Sequence, residues 1–408
     1  MVKPEEHAVM KEYELSQLCT KLVVGFVGTC EEFYTNGSSG VMMIRTGDIK
    51  GSYIDYSNVK YIDESFHTKN VKSQLKCGDI LIARHGSSGH GVIFDSNKPA
   101  NALNIVILRT DEKLLLSRYL VQLLDSPSIQ KQVAEASAGS TQNVINTSQI
   151  AKLLISIPEL SEQKEVGNVC EAVDSLIETL ERQISKKKAI KQGAMQELLT
   201  GKKRLPGFSG EWTMHQLSDL GMFLKGSGIS RAESNTGRIP AVRYGELYTT
   251  HQNYVTHFVS HISKEVATKA KQVYKGDILF AASGETKEEI GKCAAIIDDQ
   301  TVYAGGDILI LRPHEPHNPV FMGTLLNTAE VCRQRAEKGQ GDAVVHIHAD
   351  SLGSINIKIP EIKEQDAIAE ILLGMDKEIE MLEKKLEKYR QLKQGMMQQL
   401  LTGKIRLK

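Results

Sequence analysis

Asp277, Glu285 and Lys287 stand in the order Asp…Glu-x-Lys after a strand-like run, the order of a metal-dependent nuclease. The matching positions nearer the N-terminus are Asp79, Ser87 and Gly89, so the second acid and the base have no counterpart there. A Gly-Asp turn by itself accounts for Asp277. His314, His317, His346 and His348 are the residue type for a metal centre, but they fall in Pro-rich and strand-like stretches without a coherent ligand spacing. Surface and strand histidines describe them better. Lys225-Gly226-Ser227-Gly228 is a lone glycine pair with no Lys-Ser/Thr after it, so it reads as a loop and not a phosphate cradle. Lys186-Lys187-Lys188 is either a solvated helix face or a contact to a phosphate backbone or partner.

Polar loops offer a different chemistry. Arginine can fork to guanine, and Ser, Thr, Asn and Gln can meet phosphates or base edges. Such side chains gather at Arg45 and Thr46, at Arg84, His85, Ser87, Ser88 and His90, and at Thr141, Gln142 and Asn143. They gather again at Arg243 and Tyr244, at Ser283, Thr286 and Lys287, and at Gln340. The alternatives are base or phosphate contacts and ordinary loop variation. Asn318-Pro319-Val320-Phe321 lacks the second proline of the Asn-Pro-Pro-aromatic motif of amino methyltransferases. No Gly-rich strand-loop-helix accompanies it to hold a nucleotide-like cofactor.

The loops recur because the chain is built twice. Lys191–Lys202 (KQGAMQELLTGK) returns as Lys393–Lys404 (KQGMMQQLLTGK), an offset of 393 − 191 = 202 in 408 residues. Gly78-Asp79-Ile80-Leu81 is echoed by Gly276-Asp277-Ile278-Leu279, which predicts a turn feeding a buried strand in each half. Residues 104–108 and 307–311 read as further strands, and 114–124 and 319–335 as helices. Strands at 153–158 and 354–360 end in Ile-Pro. Apolar residues then step by three and four from Val166 to Leu198 and from Ile368 to Leu400, a heptad seam on two helices of roughly 60 Å. Gly201 and Gly403 follow, where a cap glycine belongs. The expected class is α+β. Two globular halves, 1–157 and 205–359, alternate with spacer helices, 158–204 and 360–408. The helices bury their stripes against each other as an antiparallel pair, with a domain at each end of a rod.

Fifty basic and fifty acidic residues cancel. Residues 1–157 carry 16 of each, and residues 205–357 carry 14 basic and 17 acidic. That balance speaks against a stand-alone DNA binder, unless the basic groups cluster or another subunit supplies the positive field. No apolar run approaches the roughly 18 residues of a membrane span. The polar, acidic start is not a signal peptide. Six cysteines without a Cys-x-x-Cys pair fit reduced thiols.

The doubled tail, residues 196–205 (QELLTGKKRL) and 398–407 (QQLLTGKIRL), closely resembles the helical repeat of type I restriction-modification specificity subunits. The Gly-Asp turns, the Ile-Pro exits followed by Glu162-Gln163 and Glu364-Gln365, and the domain start at Trp212 look like the same family. The resemblance spans essentially the whole chain. It implies two target recognition domains reading a bipartite double-stranded DNA target, held apart by the coiled coil. It implies no catalytic site and no cofactor in this chain. Two methyltransferase subunits with S-adenosylmethionine, and restriction/translocase subunits using ATP and Mg, would be the cytoplasmic partners. The repeated tails would form part of the docking surface. The reading loops vary freely in that family, so no recognition residue carries over by motif. A metal-dependent nuclease and a coiled-coil scaffold remain the competing expectations.

Overall fold

The computed structural model describes residues 10–35, 40–84, 90–137, 146–341, 344–401, 403 and 405. The chain divides into two units, Met1–Glu181 with Lys384–Lys408, and Arg182–Glu383. The dividing line falls inside both long helices, Leu160–Leu198 and Ile362–Leu400, each 39 residues. Each unit therefore holds a globular part, the first portion of one long helix and the last portion of the other.

In unit one a four-stranded antiparallel sheet runs in the order Cys19–Val24, Ile105–Thr110, Ile80–Ala83, Gly91–Ile93. A second sheet orders Lys60–Ile62, Val41–Arg45 and Ala100–Leu103. Strand Lys11–Glu14 pairs antiparallel with Leu154–Ile157, closing the globular part at the root of the first long helix. Unit two repeats the plan. Gly221–Lys225, Ile308–Pro313, Ile278–Ala281, Cys293–Ile296 and Tyr254–Val255 form one sheet. Ser260–Ile262, Ile239–Val242, Val302–Ala304 and Lys271–Val273 form the other. Thr213–Gln216 pairs with Asn356–Ile359. The strands Ile80–Ala83 and Ile278–Ala281 are buried along their whole length, as runs covered on both faces must be.

The Gly-Asp turns explain themselves physically. Gly78 and Gly276 have φ of 91° and 93°, which a side chain resists. The aspartates behind them are interior. Asp79 Oδ1 and Oδ2 take Arg109 Nε and Nη2 at 2.6 and 2.7 Å, and Oδ2 also takes the Lys76 backbone N–H at 2.8 Å. Asp277 takes Arg312 Nε and Nη2 at 3.0 and 2.6 Å and the Tyr274 N–H at 2.9 Å.

The helix roots are fixed by the glutamines after each Ile-Pro. Buried Gln163 accepts from Leu116 N–H and donates to the carbonyls of Leu114 and Pro158. Buried Gln365 accepts from Asn318 N–H and donates to Pro360 O. In each unit the two helix portions run antiparallel, because rising numbers on one meet falling numbers on the other. Asp174 meets Lys393 at 2.7 Å and Glu181 meets Arg390 at 2.7 Å in unit one. In unit two Lys188 meets Glu383 at 2.7 Å, and Lys191 meets Asp376. The sequence offset of 202 carries one set onto the other, with Lys188 in place of Arg390. Lys191 and Lys393 sit in otherwise apolar seams, and these aspartates are why they can.

The repeated tails end inside cores. Leu198 and Leu199 join the unit-two core with Leu217, Phe321 and Leu352. Leu400 and Leu401 join the unit-one core with Leu15, Leu18 and Ile155. Among the described residues of these tails the leucines are interior, while Gln196, Lys202 and Ile405 face out. Gly201 and Gly403 take φ of 67° and 69° and turn the chain. Arg204 then reaches the buried Glu364 carboxylate with two bonds of 2.6 and 2.7 Å, and Trp212 Nε1 donates to the same group at 3.2 Å.

One element differs from expectation. The helix expected over 319–335 is two, Pro319–Leu325 and Ala329–Lys338. Asn327 turns its amide back to the carbonyls of Gly323 and Cys293, which breaks the run.

Candidate nucleic-acid interface

In unit two the candidate loops converge. Strand Ile278–Ala281 delivers Ser283, whose Oγ lies 3.0 Å from His346 Nδ1. Ser283–Gly284 and Val345–His346 pair as short antiparallel strands. Gln340 and His346 exchange backbone hydrogen bonds at 2.9 and 2.7 Å. Thus Ser283 and Gln340, far apart in sequence, are joined through His346. The helix Tyr244–Thr249 backs this corner, with Tyr248 Oη donating to Ser283 O at 3.0 Å. Burial pushes the Tyr248 phenol up to about 12, so it remains a donor at neutral pH. Tyr244, Thr286, Lys287 and Gln340 are left exposed around it. Arg243 is half-buried, and its backbone N–H donates to Glu246 at the start of that helix.

Unit one presents a related edge. Arg45 is a brace more than a free reader: its guanidinium forks to Asp48 at 3.1 and 2.7 Å and reaches Asn58 O at 3.1 Å. Thr46 opens the short helix Thr46–Asp48 beside it. Arg84 is half-buried at the end of strand Ile80–Ala83. His90 Nδ1 is 2.7 Å from Asp125 Oδ1, and that bond raises its pKa above the usual imidazole value. His85, Ser87, Ser88, Thr141, Gln142 and Asn143 lie outside the described residues.

Sequence reasoning missed His346 and Tyr248 as parts of the unit-two corner. His346 carried a weak signal, since it stands exposed between buried Val345 and Ile347, the alternation of an edge strand. Tyr248 carried none.

The enzyme-like constellations resolve into structure. Asp277 is occupied by Arg312, while Glu285 is exposed on the loop, so these two carboxylates do not face a common metal. Asn318 Oδ1 accepts from the N–H groups of Val320 and Phe321, with Pro319 at the first helical position: a helix cap. His317 leans on Gly276 O at 3.0 Å, apart from His346 on Ser283. Among the described residues no three His, Cys, Asp or Glu gather to hold a metal ion. Lys187 and Lys188 are engaged by Glu378 and Glu383.

The sequence model of the family described as type I restriction modification DNA specificity domain matches residues 10–189 and again 209–390. The MjaVIII specificity subunit of Methanocaldococcus jannaschii, a type I restriction enzyme protein, is 25% identical over 399 residues, covering 92% of this chain and 91% of its own. The S subunit of a type I restriction-modification system from M. genitalium is similar in fold, with a TM-score of 0.63 at 14% identity over 98% of both chains.

Proposed function

Because the chain belongs to the type I restriction-modification DNA specificity family, and is thus a DNA specificity subunit and not a catalytic one, we propose that its two units read the two parts of a split target in double-stranded DNA. The observation that carries this is a scaffold repeated down to single ion pairs, with loops that differ. The Asp–Arg pair behind the Gly-Asp turn, the buried glutamine and the Asp–Lys pair of the helices recur in both halves. Thr46 and Tyr244, which follow matching arginines, and the loops from Arg84 and Ala282 onward do not repeat their side chains. A common frame with divergent polar edges suits two different short sequences.

We assign residues 1–157 and 205–359 to the recognition domains and 158–204 and 360–408 to the spacers. In the first domain the contacts fall to Arg84, His90, Thr46 and the loops 85–89 and 141–143. In the second they fall to Arg243, Tyr244, Ser283, Thr286, Lys287 and Gln340, and in the first Arg45 joins them while held by Asp48 and Asn58.

The modification partner is taken twice. Leu160 and Ile362, one offset of 202 apart, are each 37% exposed, and Ile190 and Leu392 are 48% and 47% exposed. Equal apolar spots on both helices suit two copies of one methyltransferase subunit, and restriction subunits join through them. S-adenosylmethionine, ATP and Mg belong to those partners. No helix among the described residues is long and apolar enough to cross a membrane, and the six cysteines are free, which suits work in the cytoplasm. Genome-wide methylation mapping with and without the chain tests the reading. A split motif that vanishes without the chain supports it, and methylation unchanged by its removal overturns it.

A further inference from the structure

Unit one holds a cationic hollow that the repeated scaffold does not require. Lys21, Lys76, Lys98 and Arg109 line it together with His67 and Gln74, around roughly 620 Å³. Arg109 is neutralised from beneath by Asp79. None of the three lysines has an ion pair among the described residues: Lys21 Nζ donates to the carbonyl of Gln74 at 2.9 Å and feels Asp79 only through space. Lys76 and Lys98 are exposed, with no carboxylate within ion-pair distance among the described residues. Lys21 and Arg109 are also direct cross-strand neighbours, a like-charge placement that disfavours the sheet. Burial, helped by the charges of Arg109 and Lys76, lowers the Lys21 pKa.

The second unit provides an internal control. Its Arg312–Asp277 pair is the same, but the cross-strand neighbour of Arg312 is Met222, and the residue in the place of Lys76 is Tyr274, which stacks on the guanidinium at 4.5 Å. In that unit Lys275 is paired with Asp299. The fold therefore stands without the lysines, and their convergence in unit one needs another reason.

We propose that this hollow clamps a backbone phosphate of the DNA read by unit one. Ammonium groups hold a phosphate as point charges without reading sequence. Arg84 stands at the far end of strand Ile80–Ala83, whose four residues span about 13 Å. The hollow and the Arg84 edge thus lie at opposite ends of one strand. The hollow anchors and the loops discriminate. In a chain of zero net charge this is a local source of the positive field that DNA binding needs.

The inference rests on the specificity reading above. Its test uses the complex reconstituted with modification subunits. Lys21→Met installs the residue that unit two already carries, and Lys98→Glu alters an exposed side chain, so one of the two folds even if the other does not. Each variant should lower the slope of log affinity against log salt by about 1 and weaken target and non-target DNA by the same factor. The methylated motif should stay unchanged. An unchanged salt slope would overturn the clamp. So would loss of modification-subunit assembly with intact DNA binding, which would mark the hollow as a seat for an acidic protein surface. Inorganic phosphate titrated against the DNA-free wild-type complex separates the remaining source. Saturable protection that Lys21→Met removes, without any change in the DNA salt slope, would assign a free-anion site and overturn the clamp. If the wild-type complex itself showed no sequence preference, the specificity reading would fail first.

Discussion

Replacing Arg312 with leucine leaves the Asp277 carboxylate, 3% exposed, with only the Tyr274 N–H as partner. Breaking a buried pair from one side costs about 3–5 kcal/mol, because the remaining charge is uncompensated. Arg312 is 29% exposed, so water screens part of the attraction and the lower end applies, about 3 kcal/mol. With a urea slope of about 2–3 kcal/mol/M the unit-two midpoint should fall by roughly 1–1.5 M. The two units need not unfold together, so hydrogen exchange should locate the loss. Protection in strands 278–281 and 308–313 should drop, and protection in 80–83 should hold. Asp277→Asn/Arg312→Leu should recover at least half the loss, because no buried charge is left alone. A single-variant cost under about 1 kcal/mol, or a double variant worse than either single, would refute this account of Asp277. The nuclease alternative would instead require Asp277→Asn to abolish a cleavage activity.

His90 should titrate above about 6.5 by NMR, because Asp125 holds its proton. The stability it lends is full below that value and is lost as pH rises through the folded pKa; Asp125→Asn should bring the titration back down, and no movement would contradict the pair. Gly201→Ala should destabilise unit two by about 1–2 kcal/mol, since φ of 67° resists a Cβ, and Gly201→Asn should cost less. Thermal unfolding monitored at Trp212, whose ring lies 3.4 Å from that Cβ position, checks it.

Much of the frame was legible because it is repeated. A self-match such as Lys191–Lys202 with Lys393–Lys404 reports constraints met twice, and the cores explain them: Leu198, Leu199, Leu400 and Leu401 are interior. The heptad steps located both 39-residue helices, since a sustained period of three and four has one physical solution. What stayed hidden is what periodicity does not encode. The break at Asn327 depends on an amide finding Cys293 O across the fold. The union of Ser283 with Gln340 depends on His346, and Lys21 meets Lys76 and Lys98 only after three separate segments close on Arg109. The type of Arg45 suggested a reader, and its bonds to Asp48 and Asn58, which fix its guanidinium, were not legible from the sequence.

The central claim is that the two halves read separately. Exchanging residues 1–157 for the corresponding domain of another family member, and mapping methylated sites in cells, tests it most directly. The account predicts that one part of the split motif changes while the other part stays the same. A motif wholly unchanged, or both parts changed together, would contradict it.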